Sequence, residues 1–123
     1  MPNVAMLHEK DPREELLAKV GDVSDFEIAH NEVLIAIYMR PEKTRGGIVM
    51  VPSNLKEDLF QSKVGLVLKI GPGCVFKHVD VQLHDWVVTR PSDTWALDVN
   101  FEPCRLAYDD QIRARVKEPG MVW

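Results

Sequence analysis

The side chains in this sequence best suited to metal or redox chemistry are Cys74, His78, His84 and Cys104. Structural zinc sites draw their ligands from two close pairs, and here only Cys74 and His78 are near one another, so packed thiols and surface imidazoles are the expected state. A Cys74–Cys104 bridge would need an oxidising compartment. The run Gly71-Pro72-Gly73 has the look of a phosphate loop, but no Lys, Ser or Thr follows it and no helix opens there. A phosphate would meet no aligned N–H groups, and a tight turn accounts for the glycines. Asp109 and Asp110 are adjacent, so on a strand they point to opposite faces and cannot share a proton. No Ser or Cys nucleophile stands beside a base in a motif that would activate it. The chain is therefore not expected to be an enzyme, and no cofactor or metal is implied.

The segment with the clearest binding chemistry is Gly46-Gly47-Ile48-Val49-Met50, an apolar tripeptide behind two glycines, set among Arg40, Glu42, Lys43 and Arg45. Apolar residues presented on a flexible arm attract a protein partner. An equal alternative from composition is that Ile48 to Val51 forms one more strand.

The elements that must position this segment follow from periodicity and breakers. Asp11 reads as an N-cap with Pro12 at the first helical position, Leu16, Leu17 and Val20 as an apolar stripe, and Gly21 as the stop. So short a helix is marginal alone and must dock on its own domain or on a neighbour, with a surface arm as the simpler reading. Glu32 to Met39 is a nearly continuous apolar run and reads as a strand buried on both faces. Arg40 to Lys63 carries Pro41, Gly46, Gly47 and Pro52 without a sustained period and reads as a long loop; Ser53 to Phe60 has the pattern of a helical turn within it. Loops of this length are usually functional. Further strands are expected at Val64–Ile70, Leu83–Thr89, Trp95–Val99, Arg105–Tyr108 and Ile112–Val116, the last with one face buried and one wet. One early helix and several short strands predict a mainly β chain, a small antiparallel barrel over residues 31–123 preceded by an extension over residues 1–30.

Composition is consistent with one domain. The 123 residues are 46% hydrophobic and 28% charged, with a net charge of -4, enough chain for a core without staples. The acidic excess falls in residues 1–30, and the bases elsewhere form no stripe with stacking aromatics, so nucleic acid is not an expected partner. The longest apolar run, Val33 to Met39, is far below the roughly 20 residues of a membrane-spanning helix. No secretory signal is legible at the start, and with two cysteines in the chain a cytoplasmic location is expected.

These residues, in this order, resemble the co-chaperonins of GroES type. Val33, Leu34, Ile35 and Ala36 resemble the family's first strand, and Glu42 to Met50 resembles its mobile loop, the most specific match. Gly65 to Gly73 is similar to the strand and glycine turn that follow, Leu83 to Val88 to the turn into an apolar strand, and Tyr108 to Val116 to the closing segment. Where the family has Gly, this chain has His84; Pro91 to Trp95 lacks the family's glycine and tyrosine pattern; and Cys74 to Asp80 is too short for a long roof hairpin. Viral members differ in roof and loop, so a phage origin fits. The resemblance implies an irregular β-barrel assembled into a seven-membered ring, with first and last strands meeting between subunits through Val33, Leu34 and Ile35 and through Ile112, Ala114 and Val116. It implies a lid that binds the apical domains of a chaperonin ring through Gly46, Gly47, Ile48, Val49 and Met50 while ATP is bound, and hydrolyses nothing itself. The rival expectation is a structural or assembly protein, such as a virion component, that keeps the barrel and uses the helical arm and the apolar edge Leu55, Leu59 and Phe60 to grip neighbours. A fragment of a zinc alcohol dehydrogenase barrel lacks the ligand pairs that reading requires.

Overall fold

The structure, a computed structural model, describes residues 11–39, 62–77 and 79–122. Helix α1 spans Pro12–Val20, and its ends are set by the residues the sequence provides for them. Asp11 Oδ1 accepts from the Arg13 N–H at 3.0 Å, Glu14 and Glu15 lie in the first turn, and Lys19 lies in the last. This order of charges suits the helix dipole. At the other end Gly21 takes φ +75° and donates its N–H to the Leu17 carbonyl at 2.9 Å, a conformation that costs a Cβ-free residue least.

Among the described residues six strands follow: β1 (Glu32–Ile37), β2 (Val64–Ile70), β3 (Trp86–Thr89), β4 (Trp95–Val99), β5 (Glu102–Tyr108) and β6 (Ile112–Val116). They form one antiparallel sheet in the order β4-β5-β1-β2-β3-β6. Three residues, Asp109–Gln111, join β5 to β6, although these strands stand four places apart in the sheet. Four chain steps reach at most about 14 Å, whereas four flat strand spacings need about 19 Å. The sheet therefore curls strongly, but among the described residues no hydrogen-bonded pairing joins β4 to β6 to close it.

The apolar run of β1 is buried on both faces as its composition predicts. Leu34, Ala36 and Tyr38 enter one core layer with Leu66, Leu68, Trp86, Cys104 and Leu106. Val33 and Ile35 enter a second with Val67, Val81, Val87 and Ala107. Helix α1 belongs to the first layer: Val20 is fully buried there, and Leu16 and Leu17 pack against it. The expectation of a simple surface arm is thus corrected, because the apolar stripe supplies burial that a helix of this length cannot do without. Arg13 Nε reinforces the docking by donating to the His84 carbonyl at 2.9 Å. Between β1 and β2, Gly65 has no side chain because the Ile35 side chain occupies the space a Cβ would fill.

Three strand boundaries differ from expectation. β1 closes at Ile37, not Met39. β3 opens at Trp86, not Leu83, since Gln82 to Asp85 form a turn: the Asp85 carboxylate accepts the Gln82 N–H at 2.8 Å and His84 takes φ +67°. β5 opens at Glu102, before Arg105, and includes Pro103. That proline lies one residue beyond the last β1 partner, Cys104, so its missing N–H interrupts no ladder with β1.

Candidate functional site

The loop residues Gly46, Gly47, Ile48, Val49 and Met50, and the helical turn expected at Ser53 to Phe60, lie outside the described residues. What the structure describes is the pair of stems from which that segment leaves. Ser62, buried, donates its hydroxyl to the Tyr38 carbonyl at 2.6 Å, with the Val64 carbonyl at 3.2 Å. The Tyr38 N–H donates in turn to Val64 at 3.0 Å. The Tyr38 ring meets Trp86 edge-on, centroids 5.6 Å apart, a favoured aromatic geometry. Tyr38 and Ser62, which flank residues 40–61, are therefore held together at one end of the two central strands β1 and β2.

The expected interface residues divide. Ile112, Ala114 and Val116 lie on β6, an edge strand, where they are partly buried and alternate with exposed Arg113 and Arg115. Arg115 reaches back to the Asp85 carboxylate at 3.5 Å and the Asp80 carbonyl at 2.7 Å, and Arg113 to Asp93 at 3.7 Å. Val33, Leu34 and Ile35 are at most 1% exposed, in a strand paired on one side with β2 and on the other with β5. Within this chain β1 is paired along both sides, and its apolar run is spent on the core, as its composition predicts. β2 and β3 separate it from β6.

The candidate chemistry does not converge. Cys104 is buried in the first core layer and Cys74 packs against the second, so the two free thiols lie on opposite faces of the sheet. Burial pushes the Cys104 thiol up to about 11 and also raises that of Cys74. His78 lies outside the described residues, and among the described ones no three His, Cys, Asp or Glu side chains gather at a metal-binding distance. The N–H groups of Gly71 and Gly73 donate to the Glu32 and His30 carbonyls at 2.8 and 2.6 Å, so they are turned toward the chain itself. Asp109 fastens a turn: its Oδ2 accepts from the Val75 N–H at 2.8 Å.

Two features carry weaker signals in the sequence. Ser62 has no motif. Asn100, between two short apolar segments, is a turn residue by type, and the structure places it with Phe101 in the β4–β5 turn, where Phe101 is 98% exposed. The chain matches no protein-family model, and no curated protein matches it.

Proposed function

We propose that the chain is a co-chaperonin of GroES type, a lid that grips the apical surface of a chaperonin ring through Gly46 to Met50 and lets a client fold beneath it. The observation that carries this reading is the anchoring of residues 40–61 between two adjacent, buried strands through Ser62, Tyr38 and Val64. A long sequence with an apolar tripeptide, set between two strands whose adjoining residues are held together, suits a contact arm. In this reading the curled sheet is the wall of a small barrel, copies associate into a ring, and the outer edge of β6 belongs to the contact between them.

The energetics favour many arms over one. Burying Ile48 and Met50 yields about 1.5 to 3 kcal/mol each, while ordering each loop residue costs about 1 to 2 kcal/mol before new hydrogen bonds offset it. One arm binds weakly; several on one ring act at high effective concentration and bind tightly together. A modest change in the partner's surface then releases all of them. The lid needs no catalytic group of its own, since the nucleotide cycle belongs to the partner.

The test is replacement of Ile48 and Met50 together by Ser in the full chain. Circular dichroism and the thermal midpoint should stay at parental values while retention on a chaperonin ring with bound nucleotide is lost. Unchanged retention would remove the contact from Gly46 to Met50.

A further inference from the structure

The β4–β5 hairpin closes through Asn100 and Phe101 between the paired residues Val99 and Glu102. Both turn residues take positive φ, +53° and +67°. A two-residue turn of this kind favours glycine at its second position, and a bulky side chain there is an outlier. Phe101 nevertheless occupies it, 98% exposed, so no burial within the chain offsets the strain. The turn is also held firmly: Asn100 Nδ2 donates to the Val20 carbonyl at 2.7 Å and to the Asp22 carbonyl at 3.1 Å. A strained backbone presenting a large apolar group from a fixed base suits a ready-made contact point.

β5 runs antiparallel to β1 with Cys104 opposite Ala36, so the turn comes level with the strand's exit at Tyr38. Phe101 therefore stands at the same end of the sheet as the stems of residues 40–61. Asp98 and Glu102 flank the turn along the chain, and Asp22 meets it through its backbone carbonyl. We propose that Phe101 is a second anchor for the protein partner that residues 46–50 engage, entering an apolar pocket rimmed by Lys or Arg. This rests on the proposed function.

The experiment compares full-length Phe101→Gly, Phe101→Trp and the Ile48→Ser/Met50→Ser variant for binding to the host's chaperonin ring with ADP. Phe101→Gly should keep or raise the thermal midpoint, because glycine suits the turn, yet weaken binding about tenfold or more, the worth of one buried aromatic. Phe101→Trp should retain binding. Replacing Asp98 by Asn and Glu102 by Gln should slow association and flatten its salt dependence. If Phe101→Gly binds like the parent while Ile48→Ser/Met50→Ser does not, the second anchor is wrong and the lid stands. If the parent does not bind, both fall. If the parent is retained on phosphatidylglycerol vesicles and Phe101→Gly is not, the tip belongs to a membrane and the inference is overturned.

Discussion

Asn100 donates its side-chain amide to the Val20 carbonyl at 2.7 Å and so joins the turn of one edge hairpin to the last turn of the sole α-helix among the described residues. Carbonyls at a helix end lack partners within the helix, and this contact supplies one from a residue 80 positions away. Asn100→Gly keeps the positive φ and removes only the amide. It should cost about 1 to 2 kcal/mol in urea unfolding, as for a lost partner of a partly buried carbonyl. Asn100→Ala, which also strains the turn, should cost more; no loss in Asn100→Gly would mean that the amide contributes nothing, and equal losses in the two variants that the strain contributes nothing.

Ser62→Ala tests the base of the long segment. Removing the hydroxyl leaves the buried Tyr38 carbonyl without the 2.6 Å donor, at a cost of about 1 to 3 kcal/mol. Amide exchange should accelerate at Tyr38 and Val64 before it does at Leu34 or Leu106. Uniform acceleration across β1 and β5 would show that the clamp is not local.

Gly65→Ala should be among the most damaging single-methyl additions. The new Cβ falls where the Ile35 side chain lies and close to the Ala36 carbonyl. Overpacking of this kind costs about 1 to 3 kcal/mol. Pairing Gly65→Ala with Ile35→Ala should recover part of that loss, and no recovery would place the conflict in the backbone.

The cysteines should react in order. Cys74 is partly exposed and Cys104 fully buried, so a thiol reagent at pH 8 should modify Cys74 in the folded protein and Cys104 only after denaturation. The folded pKa of Cys104 is raised from 9.0 to about 11. Its contribution to stability is therefore complete below pH 9 and lost as pH rises toward 11, about 3 kcal/mol at most. Cys104→Ala should flatten the decline in thermal midpoint over that range, whatever its effect at neutral pH.

How much of this was legible depends on how local each signal is. The cap Asp11, the entry Pro12 and the stop Gly21 are neighbours in sequence, and α1 has the bounds they predict, Pro12–Val20. β2, β4 and β6 likewise match their expected spans. Local pattern failed where a side-chain turn contact or the order of the sheet decides. Leu83 reads as the start of a strand, yet the Asp85 carboxylate and the left-handed His84 fold Gln82 to Asp85 into a turn. Pro103 reads as a breaker, yet it lies past the end of β1's pairing. The apolar run Val33 to Ile35 reads as a core strand and is one, whereas the contact role that the resemblance implies for it has no local signature. The candidate site was legible in part: Gly46 to Met50, outside the described residues, stands out by composition, whereas the buried hydroxyl of Ser62 that meets Tyr38 has no signature in one sequence. Phe101 carries no signal until its φ and exposure are known.

The central claim is most directly met by sedimenting the unaltered protein with the host's chaperonin ring at physiological salt, with ATP, with ADP and without nucleotide. The lid reading predicts that the chain enters the heavy fraction with nucleotide and stays in the light fraction without it. Absence from the heavy fraction under every nucleotide, with the protein folded and assembled, would contradict it.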